Sequence, residues 1–200
     1  MHTMLDVVGS TILGGAVILS VVGLNGSLTN ASFQNNLEII TQENVAALAG
    51  IIEHDFYKIG YRANLTSPVP KLPITYADSN KITFLSDMDR NGTVDVVTYY
   101  CESAAASAVG PNSNERKLFR LVNSTSGTPI YIGITKFTLS YLDENSQAIN
   151  LTTPSDSVSL ATIRTIKLEM QLESPCTTEA STAATYWQKF VSPKNIRLLK

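Results

Sequence analysis

Residues 7–24 (VVGSTILGGAVILSVVGL) form an uncharged, apolar run of 18 residues. The apolar side chains cover every side of a helix rather than one stripe, which argues against the core helix of a small domain. At helical rise the run spans about 27 Å, close to the roughly 30 Å thickness of a bilayer's hydrocarbon layer. Small residues recur in it (Gly9, Ser10, Gly14, Gly15, Ser20, Gly23), and Ser10 and Gly14 stand at the small-x-x-x-small spacing that lets helices approach closely. Asn25, Gly26, Ser27, Thr29, Asn30 and Ser32 then make a polar patch of poor helix formers, which predicts a kink or a melted turn. From Phe33 a helical period returns through Leu37, Ile40, Val45, Leu48, Ile51, Ile52, Phe56 and Ile59, with polar residues between them. Gly60 reads as a C-terminal cap, and Pro68, Pro70 and Pro73 exclude a continuing helix. One helix over residues 3–59 is about 85 Å long, so half of it needs lipid or other subunits around it.

Beyond residue 62 the period changes to two. Residues 81–85 and 93–100 are β-branched and aromatic, and they flank a turn containing Asn91-Gly92. Residues 117–123 and 135–142 follow, the latter with Phe137, Leu139 and Tyr141 on one face. Residues 166–173 (IKLEMQLE) alternate most cleanly. Such alternation marks an antiparallel sheet with one wet and one buried face, and the amphipathic stripe of the helix is the partner for the buried one. Residues 104–114 and 175–184 read as loops. The expected fold is therefore α+β: an N-terminal helix over residues 1–62, apolar in 4–24 and amphipathic in 33–60, packed on an antiparallel β-sheet domain over 63–200.

Charge sharpens this division. All basic residues lie from Lys58 onward, and residues 1–57 hold five acids and no Lys or Arg. Charged residues are 16% of the 200, below the roughly 25% of a soluble domain. The net charge of −2 gives no basis for nucleic-acid binding. A secretory signal peptide fits poorly, because a basic n-region and a small-residue cleavage site are not recognisable around the run. Asp6 stands at the predicted helix start, where a carboxylate meets unsatisfied amides and the positive end of the dipole.

The order of parts resembles the type IV pilin superfamily, which includes the minor pseudopilins of secretion systems. His2-Thr3-Met4-Leu5-Asp6 before the apolar run is similar to the family's F-T-L-I-E opening, with Asp6 in the place of its glutamate. The stretches from Asn44 to Leu48 and from Asp55 to Tyr61 resemble the helix end of minor pilin-like proteins. The family's prepilins carry a basic leader ending in Gly, and none is recognisable here. The resemblance implies self-association into a filament, or assembly with other pilin-like subunits, from a membrane-held store. It also implies an extracellular filament anchored in the inner membrane before assembly, with Asp6 paired to the free N-terminal amine of an adjacent subunit.

Two further features carry chemistry. Asp87, Asp89, Asn91, Thr93 and Asp95, with Gly92 at the sixth position, follow the ligand order of a calcium loop, Thr93 through its backbone carbonyl. Thr98 stands where that loop has its bidentate carboxylate, and a plain Asn-Gly turn accounts for the same residues. Cys101 and Cys176, if exported and oxidised, would close a loop worth about 4 kcal/mol of chain entropy. The disulfide is the expectation, and two free thiols are the alternative. The six N-x-S/T sequons, at Asn25, Asn30, Asn64, Asn91, Asn123 and Asn150, decide nothing in a chain so rich in Asn, Ser and Thr.

The sequence holds no G-x-S-x-G, phosphate-binding glycine loop or H-E-x-x-H motif. Glu53, His54 and Asp55 are consecutive on a helix and are expected to point apart. The expectation is a non-enzymatic filament subunit whose helices pack through Asp6, Gly9, Ser10, Gly14 and Gly15, with calcium as its only candidate cofactor. The alternatives are a minor tip pseudopilin and a membrane-tethered extracytoplasmic binding module.

Overall fold

A computed structural model describes residues 2–64, 72–102, 114–124, 126–130, 132–174 and 183–198. A single helix, α1 (His2–Tyr57), runs for 56 residues, about 84 Å at helical rise. The expected break at residues 25–32 does not occur. Ser27 Oγ donates to the Gly23 carbonyl (3.1 Å) and Thr29 Oγ1 to that of Asn25 (2.9 Å), so the patch satisfies its hydroxyls on the preceding turn without leaving the helix. The helix ends by tightening: the Lys58 and Ile59 amides donate three residues back, to Asp55 and Phe56. Gly60 then turns to φ +76°, and its N–H donates to the Leu85 carbonyl at 2.8 Å. Pro68 and Pro70 lie outside the described residues.

The strands are β1 (Ile74–Ala77), β2 (Lys81–Ser86), β3 (Asp95–Cys101), β4 (Leu118–Val122), β5 (Pro129–Ile130), β6 (Ile134–Leu142), β7 (Thr165–Glu173) and β8 (Ala184–Val191). They make two antiparallel sheets rather than one, β1-β2-β3-β4-β5 and β6-β7-β8. The short α2 (Ser157–Thr162) enters β7, capped by the Asp156 carboxylate on the amides of Val158 and Ser159. The sheets meet through the Leu139 N–H on the Ser79 carbonyl (2.7 Å) and the Arg116 N–H on that of Ile134 (2.6 Å). Their inner faces share one core, in which Ile82, Phe84, Val97 and Tyr99 of the first sheet join Phe137, Leu139, Ile166, Leu168 and Met170 of the second.

The C-terminal part of α1 supplies the helical side of that core. Thr41, Val45, Leu48, Ala49, Ile52, Asp55, Phe56 and Ile59 are buried, at steps of three and four. Phe56 meets Phe84 and Tyr99 edge to face, with centroids 5.8 and 5.7 Å away. The buried stripe is shorter than expected: it begins at Thr41, while Phe33, Ile40 and Ile51 remain exposed. The whole is a pilin-like layout, a long N-terminal apolar helix on antiparallel sheet.

Candidate functional site

Three places carry chemistry beyond folding: the bare part of α1, the junction where α1 meets the first sheet, and the loop between β2 and β3.

The bare part is the most extensive. Met4, Leu5, Val7, Val8, Ile12, Leu13, Val17, Ile18, Leu19, Val21, Val22, Leu24 and Leu28 are all more than half exposed. The helix is long and apolar enough to cross a membrane, and none of its most apolar window is buried within the chain. Its hydroxyls are already satisfied: Ser10 donates to Val7, Thr11 to Val8 and Ser20 to Ala16, each at 2.9 Å to a backbone carbonyl. No polar group of residues 7–24 therefore demands water, which suits an apolar environment on any side. A Cβ added at Gly9, Gly14, Gly15, Gly23 or Gly26 would meet nothing within 4 Å. Each glycine costs an exposed helix about 1 kcal/mol relative to alanine, and no contact among the described residues requires it. Asp6 is exposed and, contrary to expectation, lies past the first turn, which holds no acid; the orphan amides are N-terminal to it.

At the junction a carboxylate stands on the buried stripe. Asp55 Oδ2 accepts from Tyr99 Oη (2.6 Å) and Arg120 Nε (2.6 Å), and Arg120 Nε also donates to Tyr99 Oη at 3.0 Å. The β3–β4 register puts Tyr99 directly opposite Arg120, so both reach the helix from one face of the sheet. Burial, reinforced by the Asp55 charge, pushes the Tyr99 phenol well above its ordinary value, while the hydrogen bond to Asp55 raises Arg120 further. His54 Nδ1 lies 3.3 Å from Asp55 Oδ1, and Glu53 turns away to pair with Lys189 of β8 at 2.8 Å. Glu53 thus points apart as expected, whereas His54 and Asp55 touch. Beside them runs an open groove of about 670 Å³, lined among others by Ala46, Gly50, His54, Met88 and Arg120. The cluster is a structural anchor, with its charges paired to one another. Asp55 was visible in the sequence as the one acid in register with Ile52, Phe56 and Ile59; its partners, 44 and 65 residues away, were not.

The third place is the β2–β3 connection, where a tight Asn-Gly turn was one expectation. The strands are instead separated by residues 87–94, with Arg90 at φ 62° and Gly92 at φ 89°. Asp87 is fully buried, and its Oδ2 accepts from the amides of Ala63 (3.1 Å) and Gly92 (3.0 Å). Burial works against its charge, but these amides, with those of Arg90 and Asn91 nearby, hold the carboxyl below its ordinary value. Asp95 Oδ2 accepts from the Met88 amide (2.9 Å) and its Oδ1 from Asn123 Nδ2 (2.6 Å). Asp89 is exposed and accepts from the amide and side chain of Asn91. The structure brings Asp87, Asp89 and Asp95 together. Asn91 and Thr93 are exposed, and their bond joins Asn91 Oδ1 to the Thr93 amide (2.7 Å).

Cys101 is a free thiol, 3% exposed, with its Sγ 3.7 Å from the Glu102 carbonyl. The expected bond to Cys176 is thus not formed at the Cys101 end, and Cys176 lies outside the described residues. Burial pushes the Cys101 thiol up to about 11, which keeps it protonated and a poor partner for exchange.

No protein-family profile, curated protein or solved structure matches the chain significantly.

Proposed function

We propose that this chain is a structural subunit of an extracellular pilus-like or pseudopilus-like filament, held in the membrane by α1 before assembly and packed through α1 afterwards. The observation that carries this reading is the bare apolar half of α1, continuous with a half that is locked into the sheets. Full burial of each large side chain there would gain roughly 1.5–3 kcal/mol, which neither water nor the rest of the chain provides. The glycines say how many sides need covering. At 100° per residue Gly9, the Ser10–Gly14 pair and Gly15 point about 120° apart, which fits a helix with neighbours on several sides better than a simple pair. The role is mechanical, and no catalytic step belongs to it.

A membrane-tethered binding module is the second reading, favoured because α1 is by length and composition apolar enough to cross a bilayer on its own. One experiment separates the two: negative-stain electron microscopy of material sheared from native cells, with mass spectrometry of the chain's N terminus. Regular fibres built of this chain are expected. Gly14→Leu is expected to abolish them while leaving the melting of the sheet domain unchanged. Membrane-bound monomers without fibres would overturn the filament reading in favour of the tether, and normal fibres from Gly14→Leu would remove the packing argument.

A further inference from the structure

The carboxylates of Asp87, Asp89 and Asp95 each offer an oxygen within 4.8 Å of the others. Calcium holds its oxygen ligands at about 2.3–2.6 Å, so ligands facing one another across the ion stand about 5 Å apart and three acids at this spacing fit one coordination shell. Among the described residues none of the three is in an ion pair with Lys, Arg or His. Lys58 Nζ reaches the loop at the Met88 carbonyl, to which it donates at 3.1 Å. A second observation is independent of the clustering. Asp87 is 0% exposed, and although amides fill its Oδ2, its Oδ1 is buried without a hydrogen-bond partner among the described residues. A native fold rarely leaves a buried carboxylate oxygen unpartnered, and an ion is among the few things that satisfy one next to two other acids.

We propose that Asp87, Asp89 and Asp95 bind one calcium-class divalent cation, with Asp87 Oδ1 as the buried ligand and backbone carbonyls and water completing the shell. Three carboxylates on an irregular loop suit calcium's six to eight flexible oxygen positions, whereas magnesium demands a near-ideal octahedron and keeps much of its water. The site has a mechanical consequence. The Asp87 N–H donates to the Tyr61 carbonyl (2.9 Å), the Ala63 amide to Asp87, and Ser86 Oγ to the Lys58 carbonyl (2.8 Å), so the loop grips the chain as it leaves α1. A bound ion pins the exit of the long helix to the β2–β3 hairpin. This holds whether or not the helix assembles into fibres.

The test is calorimetric titration of CaCl2 into the detergent-solubilised full chain after chelator treatment, with thermal melting and amide exchange on the same samples. One ion per chain is expected, with Kd about 10⁻⁴–10⁻³ M or tighter. A rise of several degrees in melting temperature and slower exchange at residues 60–63 should accompany binding. Asp89→Asn changes an exposed side chain whose bonds, among the described residues, go to Asn91 of the same loop; it should weaken binding at least tenfold and leave the metal-free melting temperature unchanged. Absence of binding at about 10 mM CaCl2, above that range, would overturn the proposal. So would undiminished binding by Asp89→Asn, and an equal response to MgCl2 would overturn the assignment to calcium.

Discussion

The two halves of α1 share one backbone conformation and differ in almost everything else. From Thr41 onward, side chains at steps of three and four are buried under two sheets, and one of them is a carboxylate with partners on β3 and β4. Before residue 29 the apolar side chains stand in the open on every side. A helix that buries one stripe is completed by its own chain. One that buries none keeps its shape by local hydrogen bonds and propensity, and derives stability from whatever surrounds it. The comparison teaches that one continuous element can have two fates: its C-terminal half is completed by the chain's own sheets, and its N-terminal half is left uncovered by them.

The largest effect should come from exchanging equivalent truncations between the halves. Phe56→Ala removes a fully buried ring lodged between Phe84 and Tyr99 and should destabilise the sheet domain by about 3–5 kcal/mol, read by denaturant unfolding followed through Trp187 fluorescence. Ile12→Ala should leave that unfolding within about 0.5 kcal/mol of the parent. Comparable losses from both would mean that the halves are not independent.

A smaller effect tests the polar part of the junction. Asp55→Ala leaves the Tyr99 hydroxyl without its acceptor and the Arg120 Nε with that hydroxyl in place of the carboxylate, and should cost about 2 kcal/mol in the same assay. Adding Tyr99→Phe should cost less than Tyr99→Phe does alone, since the Tyr99–Asp55 bond is already gone and only the bond from Arg120 to the hydroxyl remains to be lost. A fully additive double variant would show that the two do not act as a unit.

The smallest effect at neutral pH becomes visible only in alkali. Burial, with Asp55 adding to it, raises the Tyr99 phenol above its ordinary value of 10.0, and burial likewise raises Tyr141. The fold therefore favours the protonated phenols. Their contribution is fully present below pH 10 and is lost as pH rises from there toward the folded-state values. Unfolding measured across that range should show stability falling above pH 10, less steeply in Tyr99→Phe. The bare half of α1 carries no tyrosine and should keep its helical signal in detergent throughout. Helix loss below pH 10 would contradict the separation of the halves.

Much of this architecture was legible along the chain. The apolar run, the amphipathic continuation, the Gly60 stop and five strands follow from periods of 3.6 and 2, which are properties of neighbouring residues. β8 was missed because its alternation is chemically mixed: Thr185, Trp187 and Lys189 face inward while Tyr186 and Phe190 face outward, and Lys189 is tolerated there because Glu53 of α1 receives it. β5, two residues long, has no period to read. The expected kink failed because hydroxyls that often break helices can also bond back to them.

By itself the sequence determined that a helix too long and too apolar for one small domain would precede an antiparallel β domain, and that oxygen-bearing side chains recur at alternate positions over residues 87–95. Only the tertiary structure decided that the strands would divide into two sheets, that Asp55 would find Tyr99 and Arg120, and that Asp87 would be buried against Ala63 with one oxygen left over. The physical reason is range. Periodicity and turn chemistry act over a few residues, whereas strand partners and the neighbours of a buried charge are set by closing loops of tens of residues around a common core.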